Sequence, residues 1–191
     1  MHLICNAQQQ VPVGQGEMFF ELENDPMAIP PVIEQLMNDL VQRGWEDELA
    51  QMRLSLALQE ALSNALYHGN LEVSSSLMND STDPFYQLAE RRRSVQPYSG
   101  RMIQLVAKHD DDRVLYIIED QGPGFDFSKL PDPTCEENIE RFNGRGLFLI
   151  RNVMDEVVFH APGNRIQMTM FKPPSLEDLE NNPAFLSGMV A

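Results

Sequence analysis

The stretch EDELAQMRLSLALQEALSNALYHG, residues 46–69, constrains the fold more than any other part of the chain. Acids in its first turn, a long run of strong helix formers and a closing glycine predict one long helix. At about 100° per residue, Leu54, Leu58, Ala61, Leu62, Ala65 and Leu66 gather on one face, the face that packs into a core. Glu60, Asn64 and His68 recur every four residues and form a separate polar stripe, because side chains four apart stack along one side. A helix divided in this way needs a layer beneath its apolar face and addresses something outside the core with its polar one.

The rest of the chain supplies that layer. EMFFELE (17–23) reads as an edge strand, and PPVIEQLMNDLVQRG (30–44) as a helix opened by two prolines and closed by Gly44. RMIQLVAKH and DRVLYIIED read as two strands joined by an Asp-rich turn at 109–112, and DEVVFH and RIQMTMFK as a second hairpin across APGN. Between the hairpins, RGLFLIRNVM forms a short helix at 145–154. Residues 71–100 are polar and broken by prolines, with one amphipathic piece from Phe85 to Arg92, and read as an insertion or cover. The order strand, two helices, hairpin, long loop, helix, hairpin predicts a two-layer α/β (α+β) sandwich: a mostly antiparallel sheet with helices on one face. We expect one domain at 17–172, with an extension at 1–16, an insertion at 73–99, a lid at 121–145 and a tail at 173–191.

Composition narrows the function. A formal charge of −15 repels phosphate backbones, and the one basic cluster, ERRRS at 90–94, has no interleaved aromatic residues. No direct nucleic-acid partner is expected, so any role in transcription would run through another protein. The longest apolar runs, such as GLFLI, are far short of the roughly 20 residues that span a bilayer, and MHLICNAQQQ lacks the form of a signal peptide. No membrane partner is expected. Cys5 and Cys135 make neither a disulfide framework nor a metal knuckle, and the location expected is cytoplasmic.

Three segments point to a nucleotide site. Asp120 ends an apolar strand and can accept a hydrogen bond from an exocyclic amine, while Gly122 and Gly124 let the backbone turn sharply beside a flat base. Such a charge-assisted bond is worth about 1.5–3 kcal/mol, enough to select adenine over a base presenting a carbonyl there. Gly144 and Gly146 leave backbone amides at the start of the next helix open to phosphates, with Arg145 and the helix dipole adding positive character. Asn64 offers a neutral oxygen to Mg²⁺, and Glu60, one turn earlier, is placed to take a proton from an attacking hydroxyl or water.

EALSNALYHGN, DQGPGFD and GRGLFLI resemble the N, G1 and G2 boxes of the GHKL ATPase superfamily, most closely its anti-sigma factor serine/threonine kinase, RsbW-like branch. The resemblance covers about 17–172 and implies a Bergerat ATP-binding fold with a mostly antiparallel mixed sheet. It implies ATP and Mg²⁺ as cofactors, Glu60 as catalytic base, Asn64 on Mg²⁺ and Asp120 on adenine, with Leu147 in the third box beside Gly146. By the same resemblance Thr169 helps Asp120 around adenine. His68 has two readings, a helix-end cap or packing residue or a group lining the phosphate pocket. The implied activity is a protein serine/threonine kinase that phosphorylates an anti-sigma antagonist of the STAS type, binds a sigma factor, or both. Homodimerisation is a further expectation of the resemblance. The alternatives are a non-catalytic, nucleotide-responsive protein-binding module and a histidine kinase-like ATPase domain. The second is disfavoured because none of the four histidines lies in a helical hairpin upstream of the N box.

Overall fold

The computed structural model describes residues 8–12, 16–79, 84–129 and 145–174. Six strands among these residues form one sheet: β1 (Gln8–Pro12), β2 (Glu17–Leu22), β3 (Ile103–His109), β4 (Arg113–Glu119), β5 (Glu156–His160) and β6 (Arg165–Phe171). Their order is β1-β2-β3-β4-β6-β5. Every pairing is antiparallel, so among the described residues the sheet is not mixed. The β3–β4 and β5–β6 hairpins were legible because each is a local turn between apolar runs; β1 was not, since QQQVP carries no strand alternation, and its pairing makes β2 an interior strand rather than the edge strand expected.

Among the described residues four α-helices accompany the sheet: α1 (Ile29–Gln42), α2 (Glu48–Asn64), α3 (Pro84–Arg93) and α4 (Arg145–Val153). Prolines occupy the first turn of α1, where a missing N–H costs nothing. Asp47 caps α2, its carboxylate accepting from the N–H groups of Leu49 and Ala50 at 2.8 and 3.1 Å. Alternation along the strands sends Met18, Phe20 and Leu22 of β2 and Val114, Tyr116 and Ile118 of β4 to the same buried side. They pack with Leu54, Leu58, Leu62 and Leu66, all 0 % exposed, as the helical periodicity required. Truncating any of these leucines to alanine would cost about 2–5 kcal/mol.

The long helix does not stay α-helical to Gly69. From Ala65 to Asn70 it widens into a π-helical turn, with the Leu71 N–H donating to the Leu66 carbonyl at 2.9 Å. The extra residue in the turn rotates the end of the helix, so that Asn70 is fully buried and His68 is exposed. Such insertions are frequent at functional sites, and the sequence could not announce this one because Ala-Leu-Tyr-His continues a helical pattern. Helix α4 runs alongside α2: the guanidinium of Arg53 donates to the Val153 carbonyl at 3.0 Å, and Gly146 lies against Glu60. The segment expected to be an insertion contains α3, as the amphipathic piece predicted. Most of the lid and of the tail lie outside the described residues.

Candidate functional site

Glu60 and Asn64 of α2, Asp120 at the end of β4 and Gly146 and Leu147 of α4 line one cavity of about 510 Å³. That size falls in the range of small-molecule and cofactor sites. Residues 60, 64 and 120 therefore converge, as the sequence reading required, and they do so because α2 crosses the sheet near the C-terminal end of β4.

Asp120 is held from several sides. Its N–H donates to the Asn164 carbonyl at 2.9 Å, and the Asn164 side chain donates back to the Asp120 carbonyl at 2.7 Å. The Gly122 N–H donates to its carboxylate at 2.8 Å. Burial nonetheless dominates and pushes the carboxyl up to about 6, against the smaller pull of the Gly122 bond and the Arg101 charge. A carboxylate kept in a half-dry pocket with little internal compensation is suited to a ligand donor.

Glycines make the room. A methyl built on Gly69 would lie 2.5 Å from both Asp120 carboxylate oxygens, and one on Gly146 would lie 2.6 Å from Glu60 Oε2. Gly124, at φ +74°, lines the cavity against the Pro162 carbonyl. Gly122 does not line it: this residue packs on the Gly69 carbonyl, where a Cβ would come within 2.3 Å, and serves by bonding Asp120. His68 bonds the Val73 carbonyl through Nδ1 at 2.6 Å and lines the cavity.

Thr169 departs from expectation. It pairs with Leu115, five residues before Asp120, which at about 3.4 Å per residue puts it roughly 17 Å along the sheet. It is buried and does not line the cavity. The residue beside Asp120 is Asn164, because β6 begins where β4 ends: Arg165 pairs with Glu119. Gly144 and the Arg145 side chain lie outside the described residues. Sequence reasoning also missed Tyr67, Ser75, Tyr86 and Phe159, which line the cavity. The APGN turn, which holds Asn164 just before β6, is the signal the sequence offers for that residue.

In the middle of the polar stripe, Asn64 Nδ2 is buried with no hydrogen-bond partner among the described residues. The unmet group is an N–H donor and calls for an acceptor, such as a phosphate oxygen or a water, while Oδ1 is the atom of Asn64 able to reach a cation. No cluster of three His, Cys, Asp or Glu side chains able to hold a metal occurs among the described residues. One carboxylate and one amide fit a cation that arrives with phosphates and keeps its waters, as Mg²⁺ does.

The profile of the histidine kinase-like ATPase domain matches residues 22–170. The chain belongs to that family. The matched span contains all three boxes and runs from the end of β2 into β6, so the fold seen here is the ATPase domain itself. The family is one of ATPases, which implies ATP as the ligand of such a cavity. Among curated proteins the domain is 38 % identical over 87 residues to the serine-protein kinase RsbW of Staphylococcus epidermidis, covering 42 % of this chain and 54 % of that one. Over 68 residues it is 41 % identical to the serine-protein kinase RsbW of Staphylococcus aureus, covering 32 % of this chain and 43 % of that one. The chain thus spans about half the length of the curated relatives it matches. No described helix is long and apolar enough to cross a membrane.

Proposed function

We propose that the protein is an ATP-dependent serine/threonine kinase of the anti-sigma factor type, acting in the cytoplasm. The observation that carries this is the convergence of Glu60, Asn64 and Asp120 on one cavity, with Gly146 pressed against the first two. Asp120 accepts the adenine amine, and Asn64 offers its amide to Mg²⁺ on the triphosphate. The backbone amides of Gly146 and Leu147, in the first turn of α4, face the phosphates. Glu60 accepts the proton of an attacking serine or threonine hydroxyl, within the reach of a group one turn from Asn64 on the same helix. Mg²⁺ would neutralise developing charge on the transferred phosphoryl group; the chain's own residues hold, orient and deprotonate. The acceptor is an anti-sigma antagonist of the STAS type and the second partner a sigma factor; homodimerisation belongs to the same reading. Support for the partners comes from the similarity to the two RsbW kinases and from an acidic surface unsuited to nucleic acid.

Phosphate transfer from labelled ATP to a purified STAS-type antagonist tests the proposal. It should depend on Mg²⁺ and fall at least 100-fold in Glu60→Gln. Tight ATP binding with no transfer to any such antagonist would replace the kinase by a nucleotide-responsive binding module.

A further inference from the structure

A polar cluster joins the segment before β3 to Asp120, and nothing in the catalytic reading uses it. Its centre is Asn70, the last residue of the π-helical turn, which is 0 % exposed and employs its whole side chain. Asn70 Oδ1 accepts the N–H of Gln121, the residue after Asp120, at 2.7 Å, and Asn70 Nδ2 donates to Asn24 Oδ1 at 2.8 Å. Arg101 donates to the Asn70 carbonyl at 2.7 Å and pairs with the Glu72 carboxylate at 2.8 Å. Arg92 of α3 donates to the carbonyls of Leu71 and Glu72, each at 2.7 Å. Both guanidinium groups lie over the Tyr98 ring, 4.7 and 5.2 Å from its centroid. Held between these arginines, Glu72 has φ +51°, a conformation a residue with a side chain adopts at a cost of about 1–3 kcal/mol.

Strain of that kind persists only where surrounding contacts over-determine it, and here they converge on the two residues that place Asp120. Gly69, just before Asn70, touches the Asp120 carboxylate; Gln121, bonded to Asn70, follows it in the chain. We propose that Arg101 and Asn70 are positioning residues for base recognition, transmitting to Asp120 the geometry set by residues 92–101. This rests on the nucleotide reading above. Arg92 and Tyr98 extend the same brace, which ties the inserted segment to the adenine end of the cavity. The field of Arg101 also reaches Asp120, whose carboxyl it lowers, while Glu119 raises it.

Binding of Mg-ATP and Mg-ITP to the full chain tests this, because hypoxanthine carries a carbonyl where adenine carries its amine. The unaltered protein should prefer ATP by at least tenfold; if it has no preference, the adenine reading of Asp120 falls before the positioning question arises. Given that preference, Arg101→Gln should weaken ATP about tenfold and leave ITP unchanged. It should also move the pH midpoint of ATP binding upward, a shift that mere loosening of the fold would not produce. Arg101→Lys, which keeps a cation for both acceptors, should recover most of the discrimination. Glu72→Gly supplies a variant whose folding is secure, since glycine accepts φ +51°; losing the carboxylate partner of Arg101 should still lower the ATP-to-ITP ratio severalfold. Wild-type discrimination and an unmoved pH midpoint in folded Arg101→Gln, or, where that variant does not fold, an unchanged ratio in Glu72→Gly, would overturn the proposal.

Discussion

The Cα of Gly69 lies against the carboxylate of Asp120, so close that a methyl group there would fall 2.3 Å from Asp120 Cγ. The π-helical turn that ends α2 creates this contact by rotating Gly69 toward β4. Gly69→Ala should therefore displace Asp120 or the turn itself. We expect a loss of about 1–3 kcal/mol in unfolding free energy and at least a tenfold loss in ATP affinity, read by urea titration and calorimetry. Unchanged ATP affinity would mean that Asp120 does not contact the base.

Glu60 and Asn64 should separate kinetically. Glu60→Gln keeps the shape of the site and removes a proton acceptor, so it should lower kcat at least 100-fold with little change in nucleotide affinity. Asn64→Ala should instead abolish the Mg²⁺ dependence of ATP binding. Equal effects of both changes on affinity would show that Glu60 acts in binding.

Asp120 carries a pH signature. Its carboxyl titrates at about 6 in the fold, above the ordinary value of 3.8 that it regains on unfolding. Between those values the folded state holds more protons, so stability falls as pH rises through that window, and the full cost is present above about pH 6. Asp120→Asn removes the titration. Without nucleotide it should be more stable than the unaltered protein at pH 7.5 by about 1–3 kcal/mol. The difference should vanish near pH 3.5, and ATP binding should be lost. Urea unfolding across the pH range measures the first effect.

Gly146 and Thr169 provide a contrast of near and far. Gly146→Ala would place a methyl 2.6 Å from Glu60 Oε2 and should weaken ATP binding and turnover together. Thr169→Val, at a buried position paired with Leu115, should change thermal stability by no more than a few degrees and leave ATP affinity unaltered. An affinity loss in Thr169→Val would contradict its placement.

Local pattern was enough for the elements that bury an apolar stripe. The acid-rich start and leucine periodicity of α2, the two hairpins with their turns and the helix after Gly144 each declare themselves within some twenty residues. Each of the three boxes is weak alone, since glycines between strand and helix are usually turn residues, and only their order along the chain pointed to a common site. β1 and the π-helical turn were hidden. The first depends on an edge to pair with, and the second on contacts that Asn70 makes with Asn24 and Gln121, 46 and 51 residues away in the chain.

Thr169 marks the same boundary. Residue type and strand location made it a fair candidate, yet only the register of β6 against β4 says which residue stands beside Asp120, and that residue is Asn164. The chain alone marked candidate side chains, since helical and strand periods assign each residue to a core or an open face. Tertiary structure decided which of them meet: distance across a sheet depends on pairing between remote segments, and no local period encodes that pairing.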